Sequence, residues 1–221
     1  MVNDKFTEVV DHTHIHIPDW DTVTEFENRI AEFFGAPHAV AVDSCTHGLE
    51  LCLRYLQAME VWSPRNTYVS IPMLAKKLRV ELKWHLPLSH WTCKYPVYYC
   101  KISGAEIIDA ATLWERNSYI TNTFMCLSFQ YQKHLSLGRG GMILCPDAES
   151  EATLRKMSYD GRERGIPWRE QDIDTMGYHY YMTPETAALG LQKLPAAIAT
   201  EPRIWSWKDY PDVSQFKVFK K

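Results

Sequence analysis

Long apolar runs, blocks of like charge, paired cysteines and internal repeats are all missing from this chain, and each absence removes a class of protein. No stretch approaches the roughly 18 apolar residues that a membrane-spanning helix needs. The segment Met1 to His16 is polar, without the apolar centre of a secretory signal. The six cysteines, Cys45, Cys52, Cys93, Cys100, Cys126 and Cys145, form no Cys-x-x-Cys pair and no zinc-like grouping. They read as reduced, mostly buried thiols, and the chain as a cytoplasmic protein. Lys and Arg number 24 against 27 Asp and Glu, a formal charge of −3 with no concentrated basic face. Neither a nucleic acid nor a membrane is therefore expected as a partner. What remains is a composition of 46% hydrophobic and 23% charged residues over 221 positions, enough to bury one large core.

The pattern along the chain alternates between helix and strand. Residues 1–18 form a polar entry segment. Val23, Phe26, Ile30 and Phe33 repeat at helical spacing and predict a helix over 23–34, capped by Asp21 or Thr22 and stopped at Gly35-Ala-Pro37. The apolar run His38-Ala-Val-Ala-Val42 suits a buried strand, and Leu49 to Leu56 suits a second helix. Further short apolar runs end at Asp109, Ser128 and Cys145, with helices expected over 149–155 and 183–194. Pro184 sits in the first turn of the last of these, where its missing N–H costs nothing. Strand, polar turn and helix in this order build an α/β fold, expected as a mostly parallel sheet with flanking helices. The expected organisation is an entry segment 1–18, an α/β domain 19–194 and an irregular tail 195–221.

Several of the strands end in polar groups: Asp43 to Thr46, Asp109 and Ser128. Ligands of open α/β sheets gather at the carboxyl ends of strands. Ser44 to Gly48 opens a helix and so offers either an anion site or an ordinary cap by Ser44 or Thr46. The segment Ser128-Phe-Gln-Tyr-Gln-Lys133-His-Leu-Ser-Leu-Gly138-Arg-Gly-Gly141 is more specific. A lysine just past a strand, followed by Gly-x-Gly-Gly, offers an amine able to form a Schiff base once deprotonated. The same letters could also describe a surface lysine before a glycine turn. His12-Thr-His14-Ile-His16 could hold a metal on one face of a strand, but an exposed polar segment is the preferred reading, and no metal is expected.

The segment 128–141 resembles the lysine motif of the DegT/DnrJ/EryC1/StrS family of sugar aminotransferases that use pyridoxal 5'-phosphate. Three more segments agree in order: Trp20 to Leu56; Ile107-Ile-Asp109-Ala-Ala111; and Gly177-Tyr-His-Tyr-Tyr-Met182-Thr183 with Ala187 to Leu191. The resemblance implies the large domain of a fold-type I enzyme. Lys133 would hold the cofactor as a Schiff base and shuttle the proton, and Asp109 would keep the pyridine nitrogen protonated. The backbone at Thr46 and His47 and the Ser128 hydroxyl would bind the phosphate. Tyr68 would stack on the ring, or serve as a core aromatic. Thr112 stands where the family carries Gln or His, and His179 stands for an asparagine that reaches the phosphate of the neighbouring subunit. His179 could equally be an interfacial structural residue.

The resemblance further implies amino transfer from glutamate or glutamine to a nucleotide-linked keto sugar, in a homodimer with shared sites. Dehydratase relatives carry histidine in place of the lysine, so the pair Lys133-His134 poses a question of register. Counting from Ser128 and from Gly138 favours Lys133. The stretch between Tyr68 and Asp109 is shorter than in typical members, and the chain ends where they continue into a smaller C-terminal domain. The alternative is thus a shortened, non-catalytic homologue that binds the cofactor or a nucleotide sugar, or pairs with a complete subunit.

Overall fold

A computed structural model describes residues 19–85 and 94–220. Helix α1 (Trp20–Phe34) starts a little earlier than its apolar spacing predicts. The Asp19 side chain accepts from Thr22 N and the Thr22 hydroxyl accepts from Asp19 N, so the cap is Asp19, outside the hydrophobic stripe. Strand β1 (His38–Val42) follows, then α2 (Cys45–Tyr55), capped by Ser44. The next elements are β2 (Glu60–Pro64), α3 (Ser70–Leu78), β3 (Glu81–His85), β4 (Tyr95–Tyr99) and β5 (Glu106–Asp109). Strands β6 (Thr123–Ser128) and β7 (Gly141–Cys145) and helices α4 (Ala148–Ser158) and α5 (Pro184–Ala199) complete the domain.

Five strands form the central sheet in the order β1-β7-β6-β5-β4, and β2 pairs with β3 in a second sheet. The α/β class holds, but the expected predominance of parallel pairing does not. Among the described strands β5–β6 and β2–β3 are parallel, whereas β1–β7, β6–β7 and β4–β5 are antiparallel. The reason lies partly in the connection between β4 and β5. It is a short turn over residues 100–105, and a parallel pair would need a crossover of a dozen or more residues.

Alternation along the strands divides the core in two. Ala39, Ala41, Ile108, Met125, Leu127, Met142 and Leu144 face α1 and α5. Val40, Val42, Ile107, Phe124, Cys126, Ile143 and Cys145 face α2, α3 and α4. Helices thus cover both faces, and the near-continuous apolar runs of β1, β6 and β7 are what a strand buried on both sides requires.

Helix α5 runs through Pro195 to Ala199, past the expected end at 194. A proline removes one helical hydrogen bond, yet Leu194 and Ala197 on either side of it are buried against the α1 face. The Ala197 carbonyl accepts from Trp114 Nε1 at 3.1 Å and His134 Nε2 at 2.8 Å, so the helix end is held by side chains. The tail beyond it carries three short 3-10 turns. The five described cysteines are free and buried; Cys93 and the histidines at 12, 14 and 16 lie outside the described residues. No described helix is long and apolar enough to cross a membrane.

One buried carboxylate ties three elements together. Glu27 of α1, 2% exposed, accepts from Ala41 N of β1 at 2.8 Å and pairs with Arg155 of α4 at 2.6 Å and with Arg164 at 3.3 Å. Replacing Glu27 by Ala leaves the Ala41 N–H and the Arg164 guanidinium without this acceptor and leaves Arg155 with Glu151 and the Ala39 carbonyl. A loss of about 3–5 kcal/mol is expected in urea unfolding; a change within about 0.5 kcal/mol would show that water re-solvates these groups freely.

Candidate active site

The carboxyl ends of β5 and β6 and the first turn of α2 open onto one cavity of about 500 Å³, a size common for small-ligand sites. Its wall includes Ser44, Cys45 and Thr46 at the start of α2, Asp109 and Thr112 after β5, and Ser128 and Lys133 after β6. Tyr68 also lines it, largely exposed. Six of the eight residues expected from the sequence are therefore together: Thr46, Tyr68, Asp109, Thr112, Ser128 and Lys133. His47 and His179 are not in this wall. The His47 ring turns back onto Asp43, Nδ1 to Oδ1 at 2.6 Å, and stacks on Tyr180 at 3.7 Å. His179 is mostly exposed and pairs with Asp160 at 2.9 Å.

Asp109 is 5% exposed. Its Oδ2 accepts from the Tyr95 hydroxyl at 2.7 Å and its Oδ1 from Ala111 N at 2.9 Å. Burial pushes its pKa up, while the Ala111 N–H, the Tyr95 hydroxyl and the charge of Lys133 pull it back. The Cys45 thiol lies 4.0 Å from Oδ1 and is held protonated, its pKa raised first by burial and then by Asp109.

Lys133 is half-buried on the loop that joins β6 to β7. This loop is folded by its own backbone: Phe129 N donates to Gly140 O, Tyr131 N to Gly138 O and Leu137 N to Phe129 O. Leu135 and Leu137 plug into the α1–α5 core. His134 donates from Nε2 to the Ala197 carbonyl of helix α5, whereas Lys133 lines the cavity. The two neighbours thus part in direction, and the register read from Ser128 and Gly138 is the one in which the lysine faces the site. Gly141 is a steric necessity, because a Cβ there would stand 2.5 Å from Cys45 N. Its absence lets the end of the loop press against the cap of α2.

Sequence reading missed much of the outer wall. Tyr95 and Thr67 reach the site from β4 and from the turn after β2, and Arg139 from the lysine loop. Arg203, Trp205, Asp209, Tyr210 and Pro211 come from the C-terminal tail. The Trp205 ring lies 4.7 Å from the Lys133 ammonium and 4.1 Å from the Arg203 guanidinium. The tail is pinned to the turn after β2: Val213 N donates to Arg65 O at 2.8 Å and Asn66 Nδ2 to Tyr210 O at 3.0 Å. The Lys-rich and Trp-rich composition of the tail was visible; its docking site was not, since nothing local encodes it.

The family model of the DegT/DnrJ/EryC1/StrS aminotransferase family matches residues 2–81 and 111–203, well over half of the chain. The chain belongs to this family. The spore coat polysaccharide biosynthesis protein SpsC of Bacillus subtilis is 26% identical over 78% of this chain and 56% of its own length. Among solved structures, AtS13 from Actinomadura melliaura is 26% identical with a TM-score of 0.68, covering 82% of this chain and 61% of that one. The sugar aminotransferase CalS13 from Micromonospora echinospora shares the fold at 18% identity and a TM-score of 0.64, covering 80% of this chain and 61% of that one. Spr1654 from Streptococcus pneumoniae, solved in a PLP form, does so at 19% identity and a TM-score of 0.66, covering 80% of this chain and 60% of its own. This family member spans little more than half the length of SpsC. The family match breaks between 81 and 111, where the β4–β5 hairpin lies.

The pKa of Asp109 carries a stability consequence with a definite sign. Because it lies above that of the unfolded chain, folding is penalised once the pH rises through the carboxylate range, and the penalty vanishes below it. The stability difference between Asp109→Asn and wild type should therefore shift in favour of the variant between about pH 3 and pH 7. Denaturation across that range measures it; a difference independent of pH would show that the carboxylate pays no net burial cost.

Proposed function

We propose that this cavity binds pyridoxal phosphate through Lys133 and that the chain transfers an amino group from glutamate or glutamine to a nucleotide-linked keto sugar. The observation that carries the reading is a buried carboxylate, Asp109, and a lysine, Lys133, in the wall of one cavity. The donor set suits this cofactor. The hydroxyls of Ser44, Thr46 and Ser128, together with the first turn of α2, suit a phosphate. Asp109 suits a protonated ring nitrogen, and the Tyr68, Tyr95 and Trp205 rings border the space between.

When bound, pyridoxal phosphate supplies an electron sink for the carbon that loses its proton. Lys133 Nζ, as the free amine, would hold the cofactor covalently until an incoming amine replaced it, and would then carry the proton. Asp109 would keep a proton at the ring nitrogen. Arg139 and Arg203, paired with Asp43 and Asp209 respectively, put guanidinium groups at the mouth where a donor carboxylate or a nucleotide phosphate enters. A homodimer with shared sites, and a role for His179 across it, belong to the same reading.

A second reading, cofactor or nucleotide-sugar binding without turnover or pairing with a complete subunit, is favoured by the Trp205 ring resting against the Lys133 ammonium. The purified chain given pyridoxal phosphate should develop an absorbance band near roughly 410–430 nm that Lys133→Ala abolishes. Loss of that band on adding glutamate supports transfer; a band that persists supports binding alone. A colourless wild type would rule out both covalent readings.

A further inference from the structure

Tyr95 is the direct cross-strand partner of Asp109 in the antiparallel β4–β5 pair, so the two side chains leave the sheet on the same face. The Tyr95 hydroxyl donates to Asp109 Oδ2 at 2.7 Å, and Thr67 Oγ1 lies 2.5 Å from the same hydroxyl. A phenol has one proton. Since that proton goes to the carboxylate, the Thr67 hydroxyl must be the donor to Tyr95. The result is a one-way chain, Thr67 to Tyr95 to Asp109, with Thr67 3% exposed at its far end. All three residues line the cavity. Tyr95 also comes from the stretch between 81 and 111 that the family model leaves unmatched.

We propose that Tyr95, backed by Thr67, is a positioning residue that fixes the Asp109 carboxylate toward the ring nitrogen of the cofactor. This rests on the reading that the cavity takes pyridoxal phosphate. Ala111 N holds Oδ1 and Tyr95 holds Oδ2, so rotation of the carboxylate breaks one hydrogen bond or both. The donor is dependable, because burial and the neighbouring carboxylate keep the Tyr95 hydroxyl protonated. The titratable groups that face Asp109 are Tyr95 from β4, Cys45 from α2, Cys126 from β6 and Lys133 from the loop after β6. Both thiols are held protonated by burial. Of these four, Tyr95 and Lys133 stabilise the anion. Removing the phenol proton therefore moves the ionisation of Asp109 to higher pH.

The experiment is a pH titration of the cofactor absorbance band in the full chain, alongside the Kd for pyridoxal phosphate. Wild type, Tyr95→Phe and Thr67→Val are compared, with melting temperatures to show that each variant is folded. In Tyr95→Phe the acid limb of the band should move up by about one pH unit, and Kd at neutral pH should weaken by about tenfold. Thr67→Val should move the limb in the same direction by less. A residue that only packs would lower the melting temperature and leave the limb in place. An unmoved limb in Tyr95→Phe, with the band intact, overturns the positioning role and leaves cofactor binding standing. Tighter binding by Tyr95→Phe would show that the phenol occupies cofactor space, which also overturns it. A wild type without the band sinks both readings.

Discussion

A carboxylate taken out of water at the end of a strand costs several kcal/mol unless it is paired and hydrogen-bonded, and Asp109 is where this protein meets that cost. Its two oxygens are satisfied by one backbone N–H and one phenol, and a lysine supplies the opposite charge across the cavity. The rest of the site is arranged to keep those groups in reach. Strand β5 sets the height of the carboxylate, its antiparallel neighbour β4 delivers the phenol, and its parallel neighbour β6 ends at the loop that carries the lysine. A sheet is a stiff ruler, and three adjacent strands fix the three groups relative to one another more tightly than loops alone could.

The lysine loop shows how apolar packing serves a polar site. Leu135 and Leu137 are core residues on a surface connection, and His134 and Ser136 are tied to α5 through Ala197 O and Lys193 Nζ. With its neighbours fixed on one side, Lys133 is left to face the other. At the end of the loop, Gly140 forms a bridge with Ser44 and Gly141 meets Cys45 without room for a side chain. The two segments richest in ligand-binding groups are thereby pressed together. A Cβ at 141 would force them apart, since it would stand 2.5 Å from Cys45 N.

What the sequence made legible was whatever is encoded locally. The strands at 38–42, 123–128 and 141–145 declare themselves because both faces are buried and the apolar run is unbroken, and α2 because Ser44 is a strong cap. The lysine and the aspartate were found through ordered motifs. Tyr95 was not found, because its role depends on a register with Asp109 that no local pattern states, and its strand alternates apolar and aromatic residues too weakly to stand out. Mixed pairing was missed for the same reason: strand direction is a property of connections, and the hairpin turn at 100–105 is read only once both of its strands are known. Pro195 misled in the opposite sense. It speaks against helix locally, and the buried Leu194 and Ala197 outweigh it.

The tail poses the sharper question of how the site is closed. Trp205 lies against the Lys133 ammonium while Val213, 1% exposed, anchors the chain beside Arg65. A cation–π contact contributes about 0.5–2 kcal/mol depending on its solvation, far less than a covalent bond to the lysine. Deprotonation of Lys133 would remove the ammonium and with it the electrostatic attraction of the indole. The anchor at Val213, a backbone hydrogen bond to Arg65 O and a buried side chain, is independent of that charge. Arg203 is tied to Trp205, because its guanidinium rests on the same ring, and it pairs with Asp209. One indole thus lies between the lysine of the site and an arginine at the mouth of the cavity, and its packing serves both cations.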